Sequence, residues 1–253
     1  FFFFQKKLYQ ERFDTVLLFH ASDRLIFPLC ALLGAKKIVG SKGINKGLDS
    51  LFTDLLQIDP KKHEIVRRLQ MVEHIGGKIT TSTLSFYLQP NEFLPPREGR
   101  WIALHPGAKD SFKRWPASHF IELGKALSKN TSTRILITGT QEERSLMEQI
   151  QKEIPYSEIS PPDLSLRSFA ALLYQMDLII SNDTGPFHLA CALKKPAIAL
   201  YSPTDPLLCG PYLVPTALAI SAAPSCTPCL KRSCPYPFCL LQIGPEQVLK
   251  SCQ

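Results

Sequence analysis

Apolar and polar residues follow two periods along this 253-residue chain. Short unbroken apolar runs predict buried strands, and apolar positions three or four apart predict helices. Residues 14–19 (DTVLLF) and 36–40 (KKIVG) predict strands, with a helix over 24–33 between them despite Pro28. Ile65, Leu69 and Val72 share one face of a predicted helix over 63–75, which Gly76 and Gly77 end. Residues 78–100 hold few helix signals, and Pro90, Pro95, Pro96 and Gly99 mark a linker. The division read from this pattern is a first domain over 1–97 and a second over 98–253. Beyond residue 100 the pattern becomes regular. Strands are predicted over 101–105, 134–138, 177–181 and 196–201. Helices are predicted from Pro116, with Phe120, Leu123 and Leu127 as the apolar stripe, then over 141–152, 166–175 and 186–193. Alternating helices and fully apolar strands imply an α/β fold, a Rossmann-like parallel sheet covered on both faces. Ligands of such sheets bind beyond the C-terminal strand ends, so the loops over 105–113, 139–143 and 182–188 are the ones to inspect.

Composition narrows the partners. Hydrophobic residues at 45% and charged residues at 20% fit a globular protein, and a formal net charge of +7 suits anionic partners. Nucleotides, phosphorylated lipids, membrane surfaces and nucleic acid all qualify, and so does a merely basic surface. Nucleic acid has only the net charge behind it, with no motif. The longest mostly apolar stretch, 25–35, is broken by Pro28 and too short to span a bilayer. Phe1 to Phe4 are followed at once by Lys6 and Lys7 and lack the preceding basic region and the small-residue cleavage site of a signal peptide, and the chain does not start with Met, so an upstream segment is expected to precede it. With no secretion signal, the eight cysteines read as reduced thiols or metal ligands rather than a disulfide framework. Cys226, Cys229, Cys234 and Cys239 have a spacing that four-thiolate zinc would accept; reduced thiols or a disulfide are the other reading.

Three loops carry candidate chemistry. Residues 181–190 (SNDTGPFHLA) leave a buried strand and open a helix, where free backbone N–H groups make an anion site. Asp183 can accept hydrogen bonds from a sugar or cap the helix; Thr184 adds a hydroxyl, Gly185 permits close approach, and His188 lies on the first turn. One Asp-Thr-Gly between a strand and a helix does not make an aspartic protease, which needs two on a β-rich fold. Residues 105–116 (HPGAKDSFKRWP) place Lys109, Lys113 and Arg114 where they can neutralise a diphosphate, or else form a solvated basic loop. Residues 138–144 (TGTQEER) put Glu142 and Glu143 at a helix start, where they either suit the helix dipole or hold ribose hydroxyls. No Gly-x-Gly-x-x-Gly follows any strand, which argues against a dinucleotide enzyme.

In this order the motifs resemble family 9 glycosyltransferases, the family of the lipopolysaccharide heptosyltransferases. The likeness is strongest over 100–253 and includes the strand ending YSPTDP over 201–206. It implies a GT-B enzyme that transfers heptose or a related sugar from a nucleotide sugar, ADP-heptose above all, to a lipopolysaccharide core. By the resemblance Gly107 and Ala108 belong to the donor-side entry and Lys113 holds donor phosphate. Glu143, less directly Glu142, holds the nucleoside. Asp183, Thr184 and Gly185 contact diphosphate and sugar, and His188 follows them. The resemblance implies inverting transfer; no Asp-x-Asp metal motif occurs, so transfer is expected to be metal-independent, with lysine and a helix N-terminus stabilising the leaving group. The resemblance implies no cofactor, a lipid-linked saccharide acceptor, a cytoplasmic location with peripheral inner-membrane contact, and no nucleic-acid partner. Family members begin with a strand and a Gly-Asp loop, whose Asp the resemblance implies as the base. The chain is expected to start part-way into that domain, so no catalytic residue is assigned, and a truncated, inactive nucleotide-sugar-binding module stands as the alternative.

Overall fold

A computed structural model describes residues 2–19, 24–202, 204–222 and 238–252. The chain divides into two units, residues 1–82 and 83–253. The first holds α1 (Phe2–Gln10), β1 (Thr15–Leu18), α2 (Ile26–Ala31), β2 (Lys37–Ser41), β3 (Asp54–Leu56) and α3 (Glu64–His74). Its three strands pair in parallel in the order β1-β2-β3. Gly40 lets β2 lie under the Phe52 ring, which a Cβ there would overlap. Asp54 binds both Lys37, at 3.0 Å, and His74, at 2.6 Å, and so links β2, β3 and α3.

The second unit holds β4 (Arg100–His105), α4 (Ala117–Leu127), β5 (Thr133–Ile137), α5 (Arg144–Gln151), β6 (Ser157–Ile159), α6 (Leu166–Tyr174) and β7 (Leu178–Asn182). There follow α7 (Gly185–Ala192), β8 (Ala197–Tyr201), α8 (Pro206–Cys209), β9 (Ala217–Ser221), α9 (Phe238–Leu241) and α10 (Pro245–Lys250). Six parallel strands run in the order β6-β5-β4-β7-β8-β9. Alternation along β4 splits the core between the two faces. Ile102 and Leu104 pack with Phe120, Leu123, Ile150 and Val248 on one side, while Trp101 and Ala103 pack with Leu173, Phe187 and Ala190 on the other. This is the doubly wound arrangement that the apolar runs predict.

The domain boundary falls earlier than the proline-rich stretch indicates, because residues 83–97 pack on the second unit. The Phe86 amide donates to Ala192 O at 3.1 Å, Arg167 donates to Tyr87 O at 2.9 Å and pairs with Glu92, and the Gln175 amide donates to Pro95 O. The prolines there mark a lack of regular structure, Pro90 opening a single 3-10 turn, without freeing the chain from its neighbours. Cys226, Cys229 and Cys234 lie outside the described residues. Among the described residues no helix is long and apolar enough to cross a membrane.

Candidate functional site

The strand order reverses direction between β4 and β7. From β4 the chain winds outward through β5 and β6, then returns to β7 and winds the other way. At such a switch the two loops leaving neighbouring strands part, and a crevice opens between them. Parallel register sets His105 beside Ser181, so the loop after β4 faces residues 182–184. All three loops singled out by sequence meet there.

A cavity of about 310 Å³ occupies the crevice, lined by Ala108, Lys109, Lys113, Glu143, Asp183 and Thr184 together with His105, Asp110, Thr140, Gly185 and Pro186. Lys113 sits on a single 3-10 turn, Ser111–Lys113, and its Nζ lies 2.6 Å from Asp183 Oδ2. The Asp183 carboxylate also accepts from the Thr204 hydroxyl. Asp183 is therefore not the helix cap. Thr184 holds the N-cap position of α7 and makes no side-chain capping bond there; its hydroxyl donates back to Asn182 O at 3.2 Å. The first turn of α7 thus has no side-chain cap; Pro186 brings no N–H and the Phe187 amide donates to Thr184 O at 3.2 Å, which leaves the Gly185 amide beside an ammonium-carboxylate pair. Gly185 has nothing of the protein within 4 Å of where a Cβ would stand, so its side faces open space.

Glu143 serves the helix start as well as the cavity. One carboxylate oxygen accepts from the Thr140 amide at 3.0 Å in a capping box, and the other lies 3.9 Å from Arg114 Nη2. The carboxylate rests on Gly107, where a Cβ would overlap it. Arg114 does not line the cavity; its Nε donates to Ala108 O at 2.8 Å. Of the loop cations, Lys109 and Lys113 line the cavity. His188 is half-buried on α7 with its ring edge-on to Phe187, and it does not line this cavity or its neighbour.

That neighbour, about 550 Å³, shares His105, Thr140, Gly185 and Pro186 with the first cavity and is largely apolar, walled by Leu164, Leu166, Phe169 and Leu189. Ser160, Glu142 and Asp163 add polar groups. His105 stands between the two with its Nδ1 2.9 Å from Thr138 Oγ1. Burial drives its pKa down to about 4, against the opposite pull of the Glu143 charge, so the imidazole is neutral at pH 7. His105, Thr140 and Thr204 were legible as members of the quoted motifs but were not singled out as site residues. Among the described residues no group of three His, Cys, Asp or Glu side chains is placed to hold a metal.

The profile of glycosyltransferase family 9 (heptosyltransferase) matches residues 2–239. The chain belongs to glycosyltransferase family 9. Within the family it is similar to lipooligosaccharide heptosyltransferase 2 of Campylobacter jejuni, at 30% identity over 75% of this chain and 63% of that protein. It is similar also to lipopolysaccharide heptosyltransferase 1 of Escherichia coli, at 29% identity over 83% of this chain and 67% of that protein. The chain thus spans under two thirds of the Campylobacter relative. Among solved structures, E. coli ADP-heptose heptosyltransferase II superposes with a TM-score of 0.74 at 20% identity, covering 98% of this chain and 78% of that one. A family member from Veillonella parvula gives 0.78 at 19% identity, covering 98% and 76%. An E. coli heptosyltransferase solved with ADP gives 0.76 at 21%, covering 98% and 75%. These likenesses establish the GT-B fold of parallel α/β units.

Proposed function

We propose that the second unit binds the donor of a heptosyltransferase, with ADP-heptose lying across the two cavities, and that the protein transfers the heptose to a lipopolysaccharide core. The observation that carries this reading is the Lys113–Asp183 pair at the start of α7, beside a largely apolar cavity of about 550 Å³, large enough to admit a nucleobase. The base occupies that cavity against Phe169 and Leu189, as flat apolar rings do. The ribose meets Glu143. The diphosphate lies at the start of α7, over the Gly185 amide, with Lys113 and Lys109 supplying positive charge. Asp183 and Thr204 accept and donate hydrogen bonds to the sugar. The likeness to heptosyltransferases, and a solved complex of an E. coli member with a fluorinated ADP-heptose, support that choice of donor.

In the transfer, the acceptor oxygen bonds to the anomeric carbon as the bond to the diphosphate oxygen breaks. ADP departs with the electron pair, and the acceptor proton goes to a base. A single displacement inverts the anomeric centre. Lys113, Lys109 and the N-terminus of α7 at Gly185 stabilise the charge growing on the leaving diphosphate without a metal ion. No residue around this crevice is assigned as the base. The acceptor is a lipid-linked saccharide reached at the cytoplasmic face of the inner membrane. In support, residues 1–82 hold 13 Lys and Arg against eight Asp and Glu, most of the formal excess of +7.

Asp183→Ala tests the assignment. The substitution removes a sugar contact and releases Lys113 from its ion pair. Affinity for ADP-heptose should fall about tenfold while affinity for ADP holds or rises. Equal losses for both ligands would take Asp183 away from the sugar.

A further inference from the structure

We infer that Asn182, the last residue of β7, is a positioning residue for the phosphate-binding lysine: it clasps the β4 loop shut so that Lys113 faces the diphosphate. The inference rests on the donor reading above and assigns a part to a residue outside the donor contacts.

The Asn182 side chain is fully buried. Its Oδ1 accepts from the Trp115 amide at 2.9 Å, and its Nδ2 donates to Pro106 O at 2.9 Å and to Gly107 O at 3.1 Å. Those three groups are the two ends of one loop. Residues 106 and 107 leave β4, residue 115 leads into α4, and Lys109, Lys113 and Arg114 lie between. One amide therefore closes the neck of the loop from the neighbouring strand. Each backbone group it meets would otherwise be a polar group without its hydrogen bond, which folded proteins avoid. Asn fits the task because one short side chain carries both an acceptor and two donor hydrogens. Asp would turn an oxygen towards two carbonyls. Leu has the volume and neither bond.

The downstream end of the neck has an anchor of its own. The Trp115 ring is buried in the core and its Nε1 donates to Ile243 O at 2.8 Å. Losing the Asn182 amide therefore frees residues 106–113 while leaving α4 seated. The residue freed with them is Lys113, whose Nζ must stay within reach of Asp183, the residue next to Asn182 in sequence. The clasp and the ion pair thus span the same gap from adjacent positions of one strand end.

The experiment compares Asn182→Ala, Lys113→Ala and the double variant of the full chain by calorimetric titration with ADP and with AMP. It also follows amide hydrogen exchange of residues 107–114 without ligand. Asn182→Ser serves if the alanine variant does not fold. Each single variant is expected to weaken ADP about tenfold and AMP less than about twofold, and the double to be no weaker than Lys113→Ala alone. Exchange over 107–114 should quicken in Asn182→Ala and not in Lys113→Ala. Losses that add in the double variant, equal losses for ADP and AMP, or unchanged exchange would overturn the inference. An unaltered ADP affinity in Lys113→Ala would instead remove the phosphate role of Lys113, and the exchange result would still decide whether Asn182 holds the loop.

Discussion

At the scale of single residues, the site is built from groups that already have partners. Lys113 spends its charge on Asp183, and Glu143 gives one oxygen to a capping box. On the donor reading proposed above, a diphosphate displaces or shares these contacts, which selects a strong anion over a weak one. His105 adds a pH dependence whose sign follows from burial. Its folded pKa, about 4, lies below the ordinary value of 6.5. Between those values the unfolded chain binds a proton that the folded one does not. The associated stability is complete above pH 6.5 and is lost as pH falls towards 4, amounting to about 3 kcal/mol. Trp101 and Trp115 are the chain's two tryptophans and both belong to the second unit, so denaturant unfolding followed by their fluorescence reports that unit. Between pH 7 and 4.5 the wild type should lose more stability than His105→Asn; superimposable profiles would show that the imidazole does not titrate with unfolding. Residue identities at the site were legible in sequence, since strand ends and glycine turns announce them. Their pairings were not. Lys113 and Asp183 are 70 positions apart, and only the register of His105 against Ser181 brings them together.

At the scale of elements, the long apolar strands and amphipathic helices were legible because periodicity reports burial directly. The short edge strands were not. β6 is three residues with an exposed Glu158 in the middle, and β3 is a three-residue strand only half-buried. Such segments become strands because a neighbour offers hydrogen bonds, a tertiary effect that local pattern does not carry. The 83–97 strap teaches the same lesson. It has no regular element beyond one 3-10 turn at Pro90–Glu92, and it is held by side chains of α6. Arg167 pairs with Glu92 and holds that carboxyl's pKa down to about 2. The Phe93 ring packs edge-on to Tyr174, and Arg97 covers the Trp101 ring. Because Leu166 and Phe169 on the same helix wall the largely apolar cavity, the strap backs that cavity. Arg167→Ala should quicken amide exchange across residues 86–95 while leaving α4 and β4 protected. Unchanged protection would mean that the aromatic contacts alone hold the strap.

At the scale of the whole molecule, the order of six parallel strands explains why three loops, none diagnostic alone, form one site. A sheet wound both ways from β4 leaves one crevice at its centre, and the motifs fall on the strand ends that border it. The fold class and the family were legible because motif order along the chain mirrors that winding. The point where the units divide was not, because proline content marks where regular structure stops rather than where packing stops. The central claim is that this crevice holds a heptose-bearing adenine nucleotide. Calorimetric titration of the chain with ADP-heptose and with ADP tests it most directly. The account expects one site for each, with the sugar nucleotide bound more tightly through Asp183 and Thr204. A folded chain that binds neither, or binds both equally, would contradict it.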